Sequence, residues 1–231
     1  MRRFLSEIPR SLIAFVAAYM LACGGLALGR GNVEFLIYAA AMLGFIALVL
    51  GLDVRVGFSR ATLWLLTVWG GLHMAGGTVQ IPASLALDWA AENGETGRTV
   101  LYNLRPVGWV PKYDQWTHAF GFFSATVASW EALVAAIRRE PAEPRPKLPR
   151  LLPAGDGGAF PHPAPVSILA AAALIGGGLG AANELVEFVV TLVVEDHNVG
   201  GYVNTGWDIV SNTVGTVLAT AALRMLARRR G

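Results

Sequence analysis

Apolar residues in this chain do not alternate with polar ones; they come in long runs separated by short charged breaks. Barrel strands would alternate, so the pattern predicts α-helices. Six runs are long enough to cross a hydrocarbon core of about 30 Å at about 1.5 Å per residue. They cover 11–28, 33–52, 61–81, 113–137, 166–194 and 203–226. The breaks hold Arg30-Gly31-Asn32, the segment 53–60, a long connection 82–112, a second one 138–165, and 195–202. The expected fold class is all-α: one polytopic integral membrane bundle of six transmembrane helices spanning 1–231.

Composition agrees. With 54% hydrophobic and 15% charged residues and a mean hydropathy of +0.50, the chain is too apolar for a soluble domain of this size, and equally unlike a disordered protein. The expected partner is the lipid bilayer, with no nucleic acid. The single cysteine, Cys23, rules out an internal disulfide and any cysteine-built metal site. Met1-Arg2-Arg3 before the first run reads as an anchor rather than a cleaved signal, because another span follows in place of a polar mature domain.

The net charge of +2 matters less than where the charges lie. With the N-terminus in the cytoplasm, only Arg30, Arg98, Arg105 and Lys112 face outward, and the other fourteen of the 18 Lys and Arg residues face inward. Both termini are therefore expected in the cytoplasm of a multi-pass protein of the inner (cytoplasmic) membrane. The cytoplasmic segment 138–165 carries eight of the 12 prolines and reads as an extended linker whose basic residues lie against lipid head groups. The outer segment 82–112 is longer than an ordinary connection and is a candidate lid. Ser84 is placed to cap a short helix through Asn93, Asn93-Gly94 marks a turn, and the stretch 100–104 reads as extended. Trp89, Trp109 and Trp116 fall where an interfacial aromatic belt belongs.

Ionisable groups inside a span cost about 2.5–3.5 kcal/mol each on the insertion scale, so their placement is informative. His73 lies in the third span, Asp114 and His118 in the fourth, Glu184 and Glu187 in the fifth, and Asp208 with Asn212 in the sixth. All sit about 2–15 Å from the outer end of their span at 1.5 Å per residue. Within each helix the members are three or four residues apart and share one face. Asn183 adds an amide beside Glu187, and Gly215 continues the Asp208 face, where a small residue admits a neighbouring helix.

Three chemistries fit this pattern. The carboxylates and one or both histidines can hold a divalent metal ion, with ligands His118, Asp114, Glu184, Glu187, Asp208 and His73. His118 with a carboxylate can instead act as general acid and base, or as a proton relay. Or the groups form a structural network, with Glu187 and Asp208 protonated or bonded to Asn183 and Asn212. As a catalytic set, His118, Asp114, Glu187 and Asp208 are the candidates, with Asn212 and Asn183 as orienting or substrate-binding amides. Arg105 and Lys112 are candidates for gripping a phosphate head group. Arg98 and Arg105-Pro106 match the first motif of membrane acid phosphatases, but its Pro-Ser-Gly-His and later Arg and His motifs do not follow. His162 and His197 read as solvated loop residues, and Glu131 as a group that snorkels or pairs.

Tyr113-Asp114 with His118 and Gly121-Phe122, Glu184 with Glu187-Phe188, and Gly201 followed by Trp207-Asp208, Asn212 and Gly215 resemble the YjdF-like family of bacterial inner-membrane proteins. The likeness covers about 113–215; the first three spans fit only as hydrophobic helices. A fainter likeness of spacing extends to VanZ-like membrane proteins. The chain departs from the YjdF-like pattern in Gly200-Gly201-Tyr202-Val203-Asn204-Thr205-Gly206, which stands where that family tends to have Gln-Gly-Asp; Asn204 is the stand-in for a polar ligand from that stretch. The resemblance implies a helical membrane protein with an Asp, His and Glu constellation and carries no activity. The leading functional expectation is a membrane-embedded enzyme or binder of a lipid-linked or amphiphilic small molecule. A small proton- or ion-coupled transporter and an accessory protein with a structural polar network are the alternatives. The inner halves of the spans, with Ala and Gly below Glu184 and only Thr213, Thr216 and Thr220 below Asn212, favour a one-sided site.

Overall fold

The computed structural model describes residues 8–86, 99–105, 107–139, 166–194 and 201–229. Among them are six long helices: α1 Arg10–Gly29, α2 Val33–Val56, α3 Arg60–Thr78, α4 Tyr113–Arg139, α5 Val166–Val193 and α6 Tyr202–Arg229. Five of these, α3 excepted, are long and apolar enough to cross a membrane. Thr62, Thr67, His73 and paired glycines dilute the apolar run of α3, which compensates by packing inside the molecule against α1 and α4.

Local sequence sets the boundaries. Gly31 takes a φ of 62°, a left-handed conformation that suits glycine, and turns the chain so that Asn32 N–H reaches back to the Ala27 carbonyl at 2.9 Å. The Asn32 side chain then caps α2 by accepting from Phe35 N–H at 3.1 Å. The break expected at 53–60 begins later, because α2 continues to Val56 and carries Asp53 inside its last turn. Gly57, at φ 68°, ends it. Asp53 Oδ1 accepts from Phe58 N–H at 2.6 Å, and Ser59 Oγ caps α3 at Thr62 N–H. Glu131 of α4 does pair: its Oε2 accepts from Ser59 N–H at 2.8 Å and ties the start of α3 to the middle of the bundle.

The six helices form two triplets. α1, α2 and α3 enclose an apolar core of Tyr19, Cys23, Met42 and Met74, with Val16, Phe45 and Trp69 against it. α4, α5 and α6 pack most closely on one another, and α3 against α4 joins the two triplets. At the end of the second triplet where α4 finishes, Trp130, Val134, Ile168, Leu169, Ala172, Leu223 and Ala227 make a second apolar core. At the other end, which bears the connection from α3 to α4 and is called the loop end below, the triplet is polar.

The described part of that connection is knitted to the bundle. Gln80 and Val100, then Ala86 and Leu104, form isolated antiparallel bridges. The stretch 100–104 is not extended throughout, as its sequence suggests, but winds through a 3-10 turn at Leu101–Asn103 between the two bridges. This turn lets Tyr102 drop into the bundle. Ser84 lies in a 3-10 turn, Ala83–Leu85. The rest of its expected helix, Trp89, the Asn93-Gly94 turn, Arg98, His162, His197 and nearly all of the proline-rich segment lie outside the described residues. Trp109 and Trp116, the remaining members of the expected belt, are exposed at the surface.

Candidate functional site

The site is built at the loop end of α4, α5 and α6. α4 and α6 approach closely because Gly215 faces the backbone of α4: a Cβ there would run into the Ala119 carbonyl. Gly180 of α5 faces the Asn212 side chain, whose nearest atoms a Cβ would meet at 3.3 Å. These contacts bring Asp114 and His118 of α4, Glu184 and Glu187 of α5, and Asp208 and Asn212 of α6 into one cluster. Asp208 is fully buried, and Asp114, His118, Glu184 and Asn212 are nearly so.

Each carboxylate is held by an amide. Asn183 Nδ2 donates to Glu187 Oε1 at 2.8 Å along α5. Asn204 Nδ2 donates to Asp208 Oδ2 at 2.6 Å along α6 and reaches Asp114 Oδ2 at 3.4 Å. Asn212 Nδ2 donates to Glu184 Oε1 at 3.1 Å between α6 and α5. Among the described residues, two buried carboxylate oxygens, Asp208 Oδ1 and Glu184 Oε2, have no hydrogen-bond partner. Both residues thus have one oxygen fixed by an asparagine and the other free, the form in which supported metal-ligand carboxylates are held.

The hydrogen bonds also orient His118. Glu184, as a carboxylate, only accepts, so Asn212 turns its NH2 toward it and its carbonyl oxygen toward His118 Nδ1, 3.0 Å away. Nδ1 therefore carries a proton. Nε2 is directed at two acids at once, 3.5 Å from Asp114 Oδ1 and 3.7 Å from Glu187 Oε1. There it serves either as an imidazolium N–H between carboxylates or as a lone-pair ligand.

Lys112 precedes α4 and is buried too. Its Nζ lies 3.6 Å from Asp114 Oδ2 and donates to Asn204 Oδ1. Among the described residues, four carboxylates thus meet one lysine and one histidine in a buried setting. Such an excess of negative charge calls for protons or a cation. Ligand atoms of Asp114, His118 and Asp208 lie within 4.8 Å of one another, and so do those of His118, Glu184 and Glu187. Cations of the Mn²⁺ or Zn²⁺ kind hold ligands at about 2.0–2.3 Å, so each triple needs only small adjustments to close on one.

The family model described as "Predicted membrane protein (DUF2238)" matches residues 8–229. The chain belongs to this family. The family is described as a membrane protein, and the several long apolar helices fit a multi-pass location. Membership is consistent with the YjdF-like resemblance, while the fainter likeness to VanZ-like proteins gains nothing from it. No curated protein and no solved structure matches the chain.

The structure separates some residues that the sequence groups together. His73 does not join either ligand triple. Its Nδ1 lies 2.7 Å from the Tyr102 hydroxyl, which also donates to the His73 carbonyl at 2.9 Å. Tyr38, Trp69 and Tyr102 surround its ring with centroids 5.6–5.9 Å away. Burial keeps the Tyr102 phenol well above its ordinary pKa, so it remains a neutral donor. Arg105 also stays out of the cluster, its Nη1 donating to the Gly108 carbonyl at 3.2 Å. The expected pairing of Asp208 with Asn212 is replaced: Asn204 serves Asp208, and Asn212 serves Glu184 and His118. Asn204 was legible only as a stand-in within the YjdF-like pattern. The spacing of Asn204, Asp208 and Asn212, four residues apart in turn, is the signal that marks it directly.

Proposed function

We propose that this protein crosses the membrane six times, with both termini in the cytoplasm, and that it binds a divalent cation in the α4, α5 and α6 cluster. We further propose that the cation serves a membrane-embedded enzyme or binder of a lipid-linked or amphiphilic substrate. Both roles are assigned to the extracytoplasmic side of the inner membrane. The observation that carries the reading is the pair of buried carboxylate oxygens without partners among the described residues, Asp208 Oδ1 and Glu184 Oε2, flanking a histidine whose other nitrogen is already committed. A structural network alone would satisfy them, since an unpartnered buried acceptor costs about 1–3 kcal/mol. Oxygen donors with one imidazole suit Mn²⁺, Fe²⁺ or Zn²⁺ better than Mg²⁺. Asp114, Glu184, Glu187 and Asp208 are the proposed ligands or charge partners of His118, and Asn183, Asn204 and Asn212 the groups that orient them. The exposed aromatics Trp109, Trp116, Tyr202 and Trp207 at the loop end suit an interfacial position beside an amphiphile.

A one-sided site is favoured over a transport path. Toward the opposite end, the hydroxyls of Ser124, Thr126, Ser129 and Thr220 donate to carbonyls one turn back in their own helices. Beyond them lies the apolar core around Trp130 and Ala172. Neither offers a continuous relay.

The test is metal content of the detergent-purified protein, with thermal melts before and after chelation. About one equivalent of a first-row divalent metal, removed by chelator with a fall in Tm and restored on adding Mn²⁺ or Zn²⁺, is expected. A wild-type protein that stays metal-free and whose Tm ignores added cations would exclude the cation and leave acid-base chemistry as the reading.

A further inference from the structure

The proposed cation site has more ligands than one ion can use, and they divide in a definite way. Ligands about 2.0–2.6 Å from a common ion lie within about 5 Å of one another. Among the described residues, the five ionisable groups fall into two such triples, Asp114 with Asp208 and Glu184 with Glu187, each completed by His118. Each triple contains one of the two unpartnered buried oxygens, Asp208 Oδ1 in the first and Glu184 Oε2 in the second. His118 has one nitrogen to give, because Nδ1 donates to Asn212, whose amide is turned by Glu184. Its Nε2 stands 3.5 Å from Asp114 Oδ1 and 3.7 Å from Glu187 Oε1, while Glu184 Oε1 lies 3.4 Å from Nδ1.

We infer that the cluster provides two alternative positions for a single divalent cation beside His118, one completed by Asp114 and Asp208 and the other by Glu184 and Glu187. The inference rests on the cation reading above and deepens it. The two positions are unequal in their surroundings. Lys112 sits against Asp114 and Asn204 and opposes a cation on the Asp114 and Asp208 side; on the other side Asn183 and Asn212 hold the glutamates, and among the described residues no lysine or arginine forms an ion pair with them. The Glu184 and Glu187 position is therefore the resting one. The Asp114 and Asp208 position is taken when an anionic group draws Lys112 away, which gives an amphiphile with a phosphate or carboxylate head group a means of moving the ion toward itself.

The experiment is Mn²⁺ titration of the metal-stripped, detergent-purified protein, following free Mn²⁺ by EPR and nitrogen ligation by electron spin echo modulation. Wild type, Asp208→Asn, Glu184→Gln, the double variant and His118→Ala are compared, each checked for a monodisperse, helical state. The wild type is expected to bind one equivalent with one imidazole nitrogen. Each single carboxylate variant keeps one equivalent and the nitrogen signal but binds about 10–100-fold more weakly, with Glu184→Gln the weaker. The double variant and His118→Ala lose binding, and Lys112→Met tightens it in the Glu184→Gln background. Two equivalents in the wild type would mean independent sites, and loss of binding in either single variant would mean one fixed position; each overturns this inference while leaving a cation site in place. Absence of binding in the wild type would overturn the cation reading together with this one.

Discussion

The helices of the first triplet are shorter than those of the second, and the two triplets are held together by different means. α1 to α3 meet through aromatic and sulfur-bearing side chains, with Tyr19, Cys23, Met42 and Met74 at the centre and Phe15, Phe45 and Trp69 stacked around them. α4 to α6 meet at the loop end through four carboxylates, a histidine, a lysine and three asparagines. In a bilayer, apolar packing gains little from exclusion of water, so close contact and interhelical hydrogen bonds decide association. The first triplet relies on contact, and it can be altered in steps. The second depends on glycine positions that admit the partner backbone and on a network in which each member orients another. In the proposed reading one triplet serves as support and the other holds the site.

Substitutions can break or sharpen this contrast. The largest effect is expected from Gly215→Val, whose side chain meets the Ala119 carbonyl. Separation of α4 from α6 should cost about 3 kcal/mol or more and remove Mn²⁺ binding, whereas Gly25→Ala in α1, where a Cβ meets nothing within 4 Å, should leave the melt unchanged. Thermal melts of the two proteins side by side decide it. Next is Met74→Ala in the apolar triplet, a fully buried side chain. It should cost about 2–4 kcal/mol while cation affinity stays within about twofold; a large loss of affinity would show that the triplets are not separable.

Asn212→Leu should cost about 1–3 kcal/mol by leaving His118 Nδ1 and Glu184 Oε1 without their shared partner. Here affinity should fall further than stability, which a melt and a titration on the same sample would reveal. The smallest effect is expected from Tyr102→Phe, which removes the hydroxyl shared by the His73 ring and carbonyl. A loss of about 1 kcal/mol with unchanged Mn²⁺ binding would place His73 on the supporting side of the comparison; a loss of binding would return it to the site.

Much of the helix pattern was legible along the chain. The starts of α2 and α3 follow from Asn32 and Ser59, the turns between them from Gly31 and Gly57, and the ends of all six apolar runs lie within a few residues of the helix ends. These features depend on neighbours a few residues away. The polar faces were legible for the same reason, since i and i+4 positions on a helix must point together, and so Asp114 with His118 and Glu184 with Glu187 could be grouped in advance. His73 could not be assigned in this way. Its depth resembles that of the others, but the rotation of α3 turns it toward Tyr38, Trp69 and Tyr102. Depth along a helix is a one-dimensional property, and it does not fix which side a residue faces.

The sequence by itself determined a helical membrane chain, the approximate extent of its long helices and the residue types that would have to be hidden together in its second half. Only the tertiary structure decided who partners whom: that Asn204 and not Asn212 holds Asp208, that Lys112 turns inward to Asp114 while Arg105 remains with the connection, and that Asn212 leaves His118 a single nitrogen facing two acids. The physical reason is that hydrogen bonds and ion pairs are settled by distance and direction over a few tenths of an ångström. Those depend on how closely α4 and α6 approach at Gly215 and on the rotation of each helix about its own axis, quantities that the spacing along any single helix does not contain.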